Sequence, residues 1–259
     1  MRTRTALILA LFSLPSFAWG PEGHRLVGRI AQTLLTPDAE ARVEATLLPG
    51  ESIASMASWA DDVRPARKET ENWHFIDIEI TGSGLNMGRD CPRGDCVLAK
   101  IAEFRKTWRD PKASPVDRRE ALLFLIHFVG DMHQPLHCAD NHDRGGNDTR
   151  VEFEGDRMNL HRLWDSALLD HMPAEDSLFD AWSNAITPDE RAEWSRGRVE
   201  DWAGESFHIA KVMVYGGAFL APKGQFPELG DNYERAADRT VEQQIEKAGV
   251  RLAAILNEP

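Results

Sequence analysis

The segment ALLFLIHFVGDM, residues 121–132, sets a histidine and an aspartate inside an otherwise apolar run. His127 and Asp131 stand four residues apart, so on a helix both project from one face. A carboxylate buried there is costly to ionise unless a cation compensates it. The spacing recurs in LHRLWD, where His161 precedes Asp165 by one helical turn. An imidazole and a carboxylate so placed are suited to hold one zinc ion, or two neighbouring ones. Five of the nine histidines (127, 133, 137, 142 and 161) crowd into this part of the chain. Upstream, His24, Asp61 and His74 are further candidates. Five histidines and three aspartates are then available, ample for more than one ion.

The rest of the chain reads as one mostly α-helical domain. Apolar residues recur at three- and four-residue spacing over Leu26–Leu35, Pro37–Leu48, Ile53–Val63, Val97–Trp108, Asp117–Met132, Leu160–Leu169, Pro188–Val214 and Tyr233–Leu256. Thr36-Pro37, Ser114-Pro115 and Thr187-Pro188 each set a capping hydroxyl before a proline at the first helical position. Alternating isoleucines in Phe75–Ile80 predict a short extended piece instead. Loops are expected at 81–96, 138–150 and 215–230. No repeat, low-complexity tract or linker divides the chain.

Residues 1–18 read as a secretory signal: Arg2 and Arg4, an apolar run from Ala6 to Leu14, then Ser16-Phe17-Ala18 as a small-x-small cleavage site. The run falls short of the roughly 20 residues a membrane span needs, and no later stretch would anchor the chain. The expected product is a soluble exported protein, secreted or periplasmic, beginning at Trp19. Export makes a local disulfide between Cys91 and Cys96 feasible, with Cys138 left over. The 42 acidic against 30 basic residues give a net charge of −12, which becomes −14 once the two leader arginines are removed. That balance argues against a broad basic surface gripping nucleic acid or anionic membrane.

WGPEGH, ASWADDVR, WHFID, ALLFLIHFVGDMHQPLH, GGND, NLHRLWD and KAGVRLAAILN, taken together, resemble the zinc-dependent single-strand-specific nucleases of the fungal S-one and P-one type, within the phospholipase C superfamily. The resemblance spans residues 19–259. It implies a mainly α, single all-helical domain with three zinc ions at the base of a cleft. One ion would be held by Asp61, His74, His127 and Asp131. A second would take His24, the shared Asp131, and the α-amino nitrogen and carbonyl oxygen of Trp19. A third would take His137, His161 and Asp165.

The same resemblance implies cleavage of single-stranded DNA and RNA to 5′-phosphate products, with 3′-nucleotides as further substrates, by a monomer. Asp61 would orient the attacking water and Arg64 would steady the pentacovalent phosphorus. Phe75 would stack a base, Asp77 would accept hydrogen bonds from its edge, and Asn147 would lie near the phosphate. Only an unpaired base can enter such a slot. His133 reads as a group supporting the ligands, whereas His142, His171 and His208 read as surface or packing residues. The sequon Asn147-Asp148-Thr149 is expected to carry no glycan, which would obstruct the cleft.

Two other readings compete. A phospholipase C shares the three-ion layout, but that branch prefers Glu where this chain has Asp165, and WHFID favours a base slot. A secreted zinc-binding protein without catalysis would close its coordination with four protein ligands, whereas the set of His137, His161 and Asp165 leaves a position open.

Overall fold

The computed structural model describes residues 19–216 and 226–259. The expected leader at 1–18 and most of the loop expected at 215–230 lie outside the described residues. Among the described residues the α-helices are α1 (Pro21–Thr33), α2 (Pro37–Thr46), α3 (Trp59–Val63), α4 (Met87–Asp90), α5 (Val97–Arg109), α6 (Pro115–His133), α7 (Leu160–Arg162), α8 (Leu168–Asp170), α9 (Glu175–Ala185), α10 (Pro188–Trp194), α11 (Val199–Ile209) and α12 (Asp231–Leu256). Two 3-10 helices, Lys68–His74 and Pro135–Cys138, and two π-helical segments, Leu163–Ala167 and Ala210–Val214, complete the helical set. No described helix is long and apolar enough to cross a membrane.

Helix α6 is the axis of the domain. Every residue from Ala121 to His133 is buried, which an apolar helix with no polar face requires. Ser114 caps its start, its hydroxyl accepting from Asp117 N at 3.1 Å, and Pro135 prevents its continuation. Around it pack α1, α3, α5, α11 and α12. Phe124 stacks on Phe104 and Phe128 at 4.7 and 5.0 Å between centroids, and Trp59 and Trp73 meet Phe124 edge-on. This aromatic block runs alongside His127 and Asp131 on α6, with Phe128 edge-on to the rings of His74 and His127.

The extended piece forms as expected. Ile76, Ile78 and Ile80 are buried, while Asp77 and Glu79 are exposed. Its backbone pairs with the stretch after α6: Ile76 N donates to His137 O (2.8 Å), Asp140 N to Ile78 O (2.9 Å) and Ile80 N to Asp140 O (2.9 Å). His74, at its head, is thereby carried to the end of α6.

Several boundaries differ from the periodicity. The expectation of an all-helical domain meets one exception, an antiparallel hairpin of β1 (Arg150–Phe153) and β2 (Asp156–Asn159). It turns through Glu154 and Gly155 at φ +49° and +81°, the paired positive φ of a tight hairpin turn. In the helix expected over Ile53–Val63, only α3 forms. Ser52 and Ser55 bond each other's backbone N–H, a local alternative to helix. The helix expected over Pro188–Val214 is broken at Gly197, whose φ is +90°. Helix α9 was not expected, because it buries only Leu178 and Trp182 and so carries a thin apolar stripe. The Cys91–Cys96 disulfide is formed, and Cys138 is free and buried.

Candidate metal centre

The eight His and Asp candidates converge from seven segments. His24 lies in the first turn of α1, Asp61 in α3, His74 at the end of the first 3-10 helix, and His127 and Asp131 on α6. His137 follows on the second 3-10 helix, His161 on α7, and Asp165 on the π segment. All eight are buried. They form three sets: His24, His127 and Asp131; Asp61, His74 and His127; and His137, His161 and Asp165. Asp131 lies closest to three imidazoles, with Oδ1 3.2 Å from His24 Nε2 and 3.3 Å from His127 Nε2, and Oδ2 2.9 Å from His74 Nδ1.

The tautomers decide what these sets can hold. His137 Nδ1 faces His74 O at 2.8 Å, and His161 Nδ1 faces Gly145 O at 2.6 Å. Each Nδ1 therefore carries the proton, and each Nε2 presents a lone pair. Yet the two Nε2 atoms point at one another across 3.2 Å, with Asp165 Oδ2 3.4 Å from that of His161. Burial keeps both rings neutral, lowering His137 to about 4 and His161 to about 3.

His127 repeats the arrangement. Its Nδ1 donates to Ala57 O (2.8 Å), and its Nε2 meets Asp131 Oδ1 and, at 3.6 Å, Asp61 Oδ2. His24 Nε2, His74 Nε2, His127 Nε2, Asp61 Oδ1 and Asp131 Oδ1 are buried without a hydrogen bond. Burial, reinforced by Asp131, pushes Asp61 up to about 7. Acceptors that confront acceptors in a dry interior are unfavourable alone, and a shared cation resolves them. The residues present thus fit metal ions.

Several supports had no clear signal in the sequence. Gly130 lets His24 in: a Cβ there would stand 2.7 Å from His24 Nδ1, and the His24 and His127 rings stack at 4.0 Å. Gln134 donates from Nε2 to Asp165 Oδ1 at 2.6 Å, turning Oδ2 towards His161. Its place inside HQPLH, between ligand candidates, was the available hint. Gly20 N donates to Asp165 O at 2.6 Å, which ties the fully buried Trp19 to the third set.

His133 faces away from the three sets. Its Nδ1 donates to Val129 O, and its Nε2 accepts from Arg251 at 2.8 Å. His142 and His208 are exposed, and His171 packs edge-on against Phe153.

Arg64 Nη1 lies 3.9 Å from Asp61 Oδ1, so its charge sits beside the second of these sets. Phe75 and Asp77 line a cavity of about 260 Å³ together with Asp90, Arg93 and the Cys91–Cys96 loop. Val97 N donates to Phe75 O, bracing the slot from α5. The Asp77 carboxyl is raised to about 6 by desolvation and by Asp140 and Asp90. Asn147 is half-buried in the loop before β1, its Nδ2 donating to Arg144 O at 2.9 Å.

A helical domain that gathers imidazoles and carboxylates into three buried sets, beside an open slot, has the makeup of a metal-dependent hydrolase. A sequence profile described as S1/P1 Nuclease matches residues 19–259, and the chain belongs to that family. It is 34% identical to Nuclease P1 of Penicillium citrinum over 93% of this chain and 97% of that protein. Endonuclease 2 of Arabidopsis thaliana is 31% identical over 95% and 92% of the two chains. Nuclease S1 of Aspergillus oryzae is 29% identical over 98% and 95%.

Proposed function

We propose that residues 19–259 form an exported zinc-dependent endonuclease that hydrolyses single-stranded DNA and RNA to 5′-phosphate products and also dephosphorylates 3′-nucleotides, acting as a monomer. The observation that most supports it is the confrontation of lone pairs at His137, His161 and Asp165. Asp61, His74, His127 and Asp131 would hold one zinc; His24, Asp131 and the amino nitrogen and carbonyl oxygen of Trp19 a second; His137, His161 and Asp165 a third. When bound, the ions supply Lewis acidity that makes water a nucleophile near neutral pH, and positive charge where phosphate sits. Three zinc ions leave the −14 chain acidic, so affinity outside the cleft is weak.

The remaining chemistry belongs to the chain's own residues. Asp61 orients the attacking water, and the Arg64 guanidinium faces the charge that develops on phosphorus. Phe75 stacks an unpaired base, and Asp77 accepts hydrogen bonds from that base's edge. Asn147 binds beside the phosphate. The decisive assay uses purified mature protein on single-stranded DNA, RNA, a 3′-nucleotide and phosphatidylcholine, with and without chelator. Turnover of the nucleic acids that chelation abolishes is expected. Turnover of the lipid alone, or metal binding without turnover, would overturn the proposal.

The Trp19 role ties activity to leader removal. A free α-amino group has a pKa of about 7.7–8.0 and yields its proton to a metal near neutral pH; the amide of an uncleaved chain does not. Protein beginning at Trp19 should therefore carry one more zinc than a form retaining residues 1–18, which should be nearly inactive. Equal zinc content and equal rates in the two forms would refute the role.

A further inference from the structure

Beyond the ligand sets themselves, one buried carboxylate gathers the loop that supports His161. Asp143 is 7% exposed. Its Oδ1 accepts from Gly146 N at 2.8 Å and from the Tyr215 hydroxyl at 2.9 Å, and its Oδ2 accepts from Thr149 Oγ1. Around it the chain runs through left-handed backbone at His142, Arg144, Gly145 and Gly146, with φ between +56° and +85°. Two of these are not glycine, a conformation that persists only where surrounding bonds enforce it. Asp140 helps, its Oδ1 accepting from Asp143 N and Gly145 N. The product of this folding is the carbonyl of Gly145, which receives His161 Nδ1–H and so aims Nε2 at His137.

The same helix end reaches the third set by a second route. Tyr215 closes the π segment Ala210–Val214, its N–H bonding Ala210 O. The neighbouring Val214 O accepts from the Tyr233 hydroxyl, which in turn accepts from Trp164 Nε1, one residue before Asp165. One turn of backbone beyond α11 is thus tied to both His161 and Asp165. A hydrogen-bonded support of this kind fixes a ligand's tautomer and direction, and its loss typically weakens metal affinity about 10–100-fold.

We propose that Asp143 and Tyr215 are positioning residues for the His137, His161 and Asp165 set, holding the Gly145 carbonyl where it orients His161. The proposal rests on the metal-centre reading given above. Its test is a zinc titration against a chromophoric chelator, on wild type, Tyr215→Phe and Asp143→Asn, with melting of each metal-free protein alongside. Wild type should bind three equivalents. Tyr215→Phe, which removes one hydroxyl, should weaken one equivalent about tenfold or more, leaving the other two and the metal-free melting curve unchanged. Asp143→Asn should weaken the same equivalent further. Three equivalents bound as tightly in Tyr215→Phe as in wild type would overturn the positioning role, as would a uniform weakening of all three. Failure of the wild type to bind zinc would instead overturn the metal-centre reading, and this inference with it.

Discussion

Replacing Asp131 by asparagine is expected to lower kcat/KM on a single-stranded oligonucleotide by roughly 10³-fold or more, well beyond the 10–100-fold typical of losing a group that only supports a ligand. Asp131 contacts His24, His74 and His127 through both of its oxygens, so one change disturbs two of the three ligand sets. The substitution is nearly isosteric and removes one negative charge from a fully buried position. In metal-free protein that charge is held by His127, His24 and His74 and raises the Asp61 carboxyl. Because the substitution keeps the shape and one acceptor oxygen, the loss of activity should far exceed any loss of stability in the metal-free protein. This divergence separates a ligand from a packing residue. Retention of more than a tenth of wild-type kcat/KM would contradict it.

The second large effect concerns stability. Arg251 is 5% exposed on α12. It donates to His133 Nε2 (2.8 Å), Glu205 Oε2 (2.6 Å) and Trp194 O (3.0 Å), and lies over the Trp202 ring. Its four contacts join α6, α10 and α11 through one side chain. Lys247 also pairs with Glu205, so the carboxylate would keep one partner after the arginine is lost. His133 Nε2 and Trp194 O would not. Arg251→Met is expected to destabilise folding by about 3 kcal/mol, the lower end for breaking a buried charge pair. Urea unfolding checks this: the midpoint should fall with an unchanged slope. Arg251→Lys should recover only part of the loss, because a point charge cannot serve three acceptors in a fork. A loss below about 1 kcal/mol, the range of an ordinary surface pair, would show that the network is not under strain to stay paired.

Much of the centre was legible because its signals are local. The pairs His127/Asp131 and His161/Asp165 declare themselves by a spacing of four, and the alternation of Ile76, Ile78 and Ile80 marks the extended piece beside His74. Helices whose apolar stripe is broad, such as α5, α6 and α12, appear close to where the pattern puts them. Helix α9, with two buried residues, and the β1–β2 hairpin, with four residues a strand, offer too little periodicity to be told from loop. The break at Gly197 depends on a single positive φ, which composition does not announce.

Other features have no local signature at all. Gly130 matters only because His24, over a hundred residues earlier in the chain, stacks on His127 across it. Gln134, Asp143 and Arg251 look like ordinary polar residues until their partners are known.

The amino-acid sequence by itself determined the helical class and the types of the candidate ligands, because both follow from spacing within a few turns and from side-chain chemistry. Only the tertiary structure decided which candidate ligands share a set, which ring nitrogen faces inward, and which neutral-looking residues hold them there. Those choices depend on contacts between segments tens to hundreds of residues apart, where burial turns unpaired lone pairs and charges into the dominant energies.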